Sequence, residues 1–128
     1  MTFYSLFYSI KMAVKGLWLC ICYEKNMRIH LVFATVALIL SCILMLSVIE
    51  WCIILFCIGM VLCMELMNTS IEYLANLYNL TYDLRIKHIK DISAAAVLCA
   101  SVISFVIGCI IFLPKCLNFI KNWKVILY

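Results

Sequence analysis

Four side chains in the middle of the chain have the types and the spacing to do chemistry: Glu65, Asn68, Glu72 and Asn76. At about 100° per residue they fall within roughly 80° of one another, on one helix face about 16 Å long. Thr69 and Ser70 add hydroxyls to the same turns. Two carboxylates among amide and hydroxyl oxygens, with no Cys/His cluster beside them, suit a hard cation such as Mg²⁺. Carboxylates, a hard metal and the nearby pair Lys90-Asp91 make a site able to bind nucleotide phosphates. The plainer alternative is a solvated face whose acids pair with Arg85, Lys87 or Lys90.

What surrounds the stripe favours the site. Of the 128 residues, 69% are hydrophobic and 12% charged, against about 25% charged in soluble domains. A water-soluble fold this small cannot cover itself with so few polar groups, so lipid must cover the rest. The expected architecture is an all-α membrane protein, one domain with a surface helix over about 2–27 and spans over about 29–49, 51–75 and 91–113. In the first segment Phe3, Leu6, Phe7, Ile10, Ala13, Val14, Leu17 and Trp18 share one face, and Ser5, Ser9, Lys11, Lys15 and Gly16 the other. That pattern suits an amphipathic helix at the headgroup boundary, and no small-x-small cleavage site follows it. Leu31–Ile49 supplies nineteen uncharged residues and Ile92–Leu113 twenty-two, ending at Pro114. Glu50-Trp51 reads as a short turn, with Glu50 solvated, before apolar residues resume at Cys52. Carboxylates at the depth of Glu65 and Glu72 cost about 3 kcal/mol each even on insertion scales, which argues that they are kept for a ligand or a reaction.

Charge sets the orientation. Lys11, Lys15, Lys25 and Arg28 flank the first span and Arg85, Lys87 and Lys90 the third, while the first loop has no Lys or Arg, so both basic regions are expected in the cytoplasm. Lys115, Lys121 and Lys124 in the tail conflict with three spans. The formal charge of +4 is scattered, without the basic stripe that nucleic acid requires. The nine cysteines lie mostly inside apolar stretches and read as small hydrophobes. His30 and His88 lack metal-ligand spacing and read as interfacial residues. The sequons at Asn68 and Asn79 read as accidental.

The stretch Glu65-Leu66-Met67-Asn68-Thr69-Ser70-Ile71-Glu72, followed by Lys90-Asp91-Ile92-Ser93-Ala94-Ala95-Ala96-Val97, resembles the signature of the small bacterial integral-membrane lipid kinases, the prokaryotic diacylglycerol kinase and undecaprenol kinase family. The resemblance extends to Lys15-Gly16, Glu24, Asn26-Met27-Arg28-Ile29-His30, Trp51 and Gly108. It implies a surface helix, three spans and a homotrimer with composite sites at subunit interfaces. It also implies roles: Glu65 as the general base on the lipid hydroxyl, Glu24 and Glu72 as carboxylates holding Mg²⁺ with ATP, and Lys90 and Asp91 at the nucleotide. Asp83 joins the expected ATP-binding set, Asn68 is an orienting partner, and Arg28 joins Glu65 at the lipid. Asn76 stands where the family usually has Asp.

Three function classes follow. The first is an ATP- and Mg²⁺-dependent kinase of a membrane lipid alcohol in the bacterial cytoplasmic membrane, with undecaprenol favoured over diacylglycerol on the Asn26-x-Arg28-Ile29-His30 block. The second is a catalytically impaired subunit of the same fold. The third is an ion pathway, opposed by polar residues that gather at one end of the second span and do not continue across the bilayer.

Overall fold

The computed structural model describes residues 3–78 and 83–126, with side chains described for 5–77 and 83–121. Four helices account for nearly all of them: α1 (Phe3–Tyr23), α2 (Lys25–Ile43), α3 (Val48–Tyr78) and α4 (Leu84–Ile126). Each contains a stretch long and apolar enough to cross a membrane. The chain is an integral membrane protein, and its many exposed Leu, Ile, Val and Phe side chains, such as Phe33, Phe56, Ile92 and Phe105, are lipid-facing surface. α1 also meets the length and composition for a span.

Three boundaries differ from the sequence reading, each for a local reason. The expected helix over about 2–27 breaks at Glu24, whose backbone is extended (φ −97°, ψ 120°) between the end of α1 and the start of α2. As N-cap of α2, Glu24 makes no side-chain capping bond. Its carboxylate instead accepts the Tyr73 hydroxyl at 2.9 Å, so the corner turns toward α3.

The first loop lies earlier than expected, because Glu50 and Trp51 are already helical. Ser47 N–H donates to Glu50 Oε2 at 2.7 Å and Glu50 N–H to Ser47 Oγ at 3.4 Å, a reciprocal capping box that starts α3. Upstream, Met45 takes the left-handed backbone (φ 49°) that closes α2.

Pro114 does not end the last helix, since α4 runs through it. At about 1.5 Å per residue its 43 residues are about 65 Å long, twice the hydrocarbon thickness. Beyond the proline, Lys115 Nζ meets Glu50 Oε2 at 3.0 Å and gives the continuing helix a partner on α3. Glu50 is therefore paired rather than simply solvated, and Lys115 is neutralised locally, which weakens its vote on topology. Replacing Glu50 with Gln should lower the melting temperature in detergent, because it weakens both this pair and the capping box, while changing turnover by less than about twofold, because the pair is far along the bundle from the polar stripe.

α3 and α4 run antiparallel. Bonds from Lys90 to Asn76, Ser93 to Asn68, Ser104 to the Cys57 carbonyl and Lys115 to Glu50 mark the register from one end to the other. At the Lys115 end Leu46, Ile54 and Ile111 are buried together, with Leu44, Trp51, Ile107 and Phe112 packed around them. The apolar core thus closes one end of the bundle and leaves the polar side chains gathered at the other.

Candidate active site

Glu65 sits in α3 with 2% of its surface exposed, and Asn68 and Thr69 beside it are nearly as buried. Helical spacing places them on one face, and α1, α2 and α4 cover that face. From α1, Cys20 Sγ lies 3.5 Å from Thr69 Oγ1. From α4, Ser93 Oγ donates to Asn68 Oδ1 at 2.6 Å. Asn68 then donates through Nδ2 to Glu72 Oε1 at 3.1 Å. Ser93, Asn68 and Glu72 thus form a directional chain that fixes the amide and leaves the second Glu72 oxygen unengaged by it.

No cation among the described residues neutralises the stripe in the way the solvated reading requires. Arg85 pairs with Asp83 at 2.9 Å and Lys87 with Asp91 at 3.5 Å. Lys90 donates to the uncharged Asn76 Oδ1 at 2.7 Å. Glu65 has His30 as its charged-type neighbour, with Nε2 at 3.8 Å from Oε2. Glu65 Oε2 is buried without a hydrogen-bond partner. Glu24 and Glu72 lie within electrostatic reach of Glu65, so three acids share this end of the molecule.

A groove of about 320 Å³ opens over Glu65. Its polar lining is Asn26, His30, Glu65, Asn68 and Ser101, and Ile29, Val97 and Leu98 are among its apolar walls. Ser101 Oγ is also buried and unpartnered, whereas Ser9, Thr35, Ser41 and Ser70 each bond the carbonyl four residues earlier. The groove joins a carboxylate with a free oxygen to an apolar channel wall. That is the arrangement a base needs to meet the hydroxyl of a lipid.

The expected site residues divide into two groups. Glu24, Glu65, Asn68, Glu72, Asn76 and Lys90 come together on α3, the α1–α2 corner and the start of α4. The corner of the chain reaches its own α3, so these acids are gathered within one chain. Three residues lie apart from them. Asp91 is exposed and turned to Lys87 rather than forming a pair with Lys90. Asp83 accepts Arg85 N–H at 2.8 Å and its guanidinium at 2.9 Å, which hold the Asp83 carboxyl below its usual range. It serves as the entry to α4. Arg28 lies with Lys25, Val32 and Phe33 along a shallow depression of about 240 Å³, apart from the Glu65 groove although Ile29 borders both. Asn79 and the Lys124 side chain lie outside what is described.

Sequence reasoning missed His30 as a site residue, and it missed Tyr73 and Ser93. Ser93 follows Lys90 by three residues, the spacing of a shared helix face, and so carried a signal. Tyr73, next to Glu72, had none that separates it from the other tyrosines.

The donor set fits a hard divalent ion. Among the described residues no three His, Cys, Asp or Glu side chains converge, but Mg²⁺ commonly takes only one or two protein carboxylates and completes its shell with water and phosphate oxygens. Glu24, anchored by Tyr73, and Glu72, anchored by Asn68, are the two carboxylates here that could take those places.

The fold is thus a helical membrane bundle with one buried acid, Glu65, on an apolar-walled groove and two partly buried acids near it. Residues 11–112 match the family described as prokaryotic diacylglycerol kinase. A relative from Bacillus subtilis (strain 168), undecaprenol kinase, is 39% identical over 109 residues, covering 85% of this chain and 89% of the relative. The chain belongs to the prokaryotic diacylglycerol kinase family, and it is a lipid kinase, a phosphotransferase with an alcohol acceptor.

Proposed function

We propose that the protein transfers the γ-phosphoryl group of ATP to the hydroxyl of a membrane lipid alcohol, undecaprenol in preference to diacylglycerol, at the cytoplasmic face of the bacterial inner membrane. The observation that carries this reading is the buried, unpartnered Glu65 Oε2 facing an apolar-walled groove. The undecaprenol preference rests on the Asn26-x-Arg28-Ile29-His30 block and on likeness to a relative of that name. On this reading α1 lies in the headgroup layer, three helices span, and the protein assembles as a homotrimer whose neighbouring chain flanks the open side of the groove.

Each residue has a part. The lipid enters laterally, its chain against Ile29, Val97 and Leu98, and Glu65 takes the hydroxyl proton as the oxygen attacks phosphorus. Glu24 and Glu72 would hold Mg²⁺, which supplies neutralisation of charge on the transferring phosphate. Lys90 releases Asn76 to meet a phosphate oxygen, with Asp91 and Asp83 further out on the nucleotide side. Arg28, on the neighbouring depression that shares Ile29 with the groove, would meet the lipid headgroups.

Asn76 gives a specific expectation. The Asn76→Asp variant adds negative charge one turn from Glu72 and should lower the Mg²⁺ concentration for half-maximal activity. Residue 76 is exposed, where solvent screens its charge, so the shift should be only about two- to threefold, with lipid KM unchanged. A Mg²⁺ titration of both proteins at saturating lipid checks it, and an unchanged midpoint places residue 76 outside the reach of the metal.

Initial rates with undecaprenol and with a diacylglycerol at equal mole fraction in one detergent test the substrate assignment. The expected result is a higher kcat/KM for undecaprenol; a preference for diacylglycerol reverses it.

A further inference from the structure

We propose that His30 is the proton relay of the reaction, taking from Glu65 the proton that Glu65 removes from the lipid hydroxyl and passing it to water. This rests on the lipid-kinase reading of the Glu65 groove.

The argument begins with an imbalance at Glu65. Each turnover leaves a proton on its carboxyl group: the lipid O–H bond breaks, a new O–P bond forms, and the bond from the γ-phosphorus to the leaving ADP oxygen breaks. ADP departs with its negative charge, so the proton on Glu65 must leave before the next cycle. At 2% exposure Glu65 has little direct access to water. The described polar groups at the groove offer few routes. Asn68 is committed at both ends, to Ser93 and to Glu72, and an amide does not carry a proton at neutral pH. Ser101 has no hydrogen-bond partner through which to pass one on.

His30 is different on each count. Its Nε2 is 3.8 Å from Glu65 Oε2, the very oxygen without a hydrogen-bond partner. A small rotation or one intervening water closes that gap. The imidazole retains 19% exposure against 2% for Glu65, so it is the less enclosed of the two. Asn26, one helical turn earlier on α2, lines the same groove and is exposed, which continues the polar path toward the α1–α2 corner. Imidazole also exchanges protons near neutral pH, unlike the other neighbours.

The titratable groups that face His30 are acids. α3 presents Glu65, with Glu72 and the corner residue Glu24 in reach of that carboxylate. α4 presents Ala94, Val97, Leu98 and Ser101, none of them titratable at neutral pH. On α1, the buried thiol of Cys20 is turned to Thr69. On α2 itself Lys25 and Arg28 line the separate depression rather than this groove.

The test uses full-length protein in detergent with ATP, Mg²⁺ and saturating undecaprenol. His30→Gln keeps a polar side chain but cannot carry the proton. It should lower kcat by about tenfold or more, leave lipid KM within about twofold, and change the acid limb of the kcat–pH profile, because that limb no longer carries the titration of an imidazole. His30→Ala should show the same loss and recover activity with added imidazole. Either variant alone suffices should the other fail to fold, as judged by its melting temperature. An unchanged kcat and profile overturns the relay, and so does a loss of kcat with an unmoved profile and no imidazole rescue, which marks a packing role. Wild type lacking lipid-dependent transfer refutes the kinase reading itself, whereas an active wild type with a dispensable His30 refutes only the relay.

Discussion

Replacing Glu65 with Gln is expected to lower phosphoryl transfer at least about 100-fold, the lower range of general-base contributions, while nucleotide binding and folding are preserved. The glutamine has nearly the same volume, so the packing of α3 against its neighbours stays intact. What disappears is the proton acceptor at the one carboxylate oxygen among the described residues that is both buried and unpartnered. Removing a buried negative charge that lies within reach of Glu24 and Glu72 should also relieve repulsion, so the variant is expected to melt at or above the wild-type temperature. Loss of activity with gain of stability separates a chemical role from a structural one. Near-normal turnover in the purified variant removes Glu65 from the base role.

The second large effect is expected at Glu72. In Glu72→Gln the amide oxygen can still accept the Asn68 hydrogen bond now measured at 3.1 Å, so the Ser93–Asn68 chain survives. The anionic oxygen that would ligate the cation does not. The Mg²⁺ concentration for half-maximal activity should rise about 10- to 100-fold, and part of the lost rate should return at high Mg²⁺. Asn68→Ala, which leaves the carboxylate but frees it to swing, should raise the same midpoint by a smaller factor. Equal Mg²⁺ midpoints in wild type and Glu72→Gln, at whatever rate, place the metal elsewhere.

The part of the site carried by one helix was readable from spacing alone, because the angles between Glu65, Asn68, Glu72 and Asn76 follow from helical geometry once the segment is helical. The parts that depend on how helices meet were less readable. Lys90 and Ser93 come opposite Asn76 and Asn68 through the antiparallel register of α3 and α4, and that register is set by contacts distributed from Lys90 to Lys115. His30 lies 35 residues before Glu65, and no periodicity joins residues on different helices. Its closeness depends on where α2 starts, which the Glu24 corner decides by turning its carboxylate to Tyr73. Asp91 adjoins Lys90 in sequence, yet successive helical residues point about 100° apart, so the two turn to different partners.

The apolar ends misled for related reasons. Glu50-Trp51 resembles a turn because it is the first charged break after a long apolar run, but Glu50 closes a capping box opened three residues earlier by Ser47. Pro114 resembles a stop because it cannot donate to the helix ladder. In a membrane helix that loss is tolerated, and here the following turn is held by Lys115 on Glu50.

The central claim, that Glu65 and its groove convert a lipid hydroxyl and ATP into a lipid phosphate and ADP, is tested most directly by following both products in one reaction. Purified wild-type protein in mixed micelles with ATP and Mg²⁺ should form ADP and undecaprenyl phosphate in equal amounts, with neither appearing when the lipid is left out or when Glu65→Gln replaces the wild type. ADP formed without lipid phosphate, or lipid phosphate formed as fast by Glu65→Gln as by wild type, would contradict it.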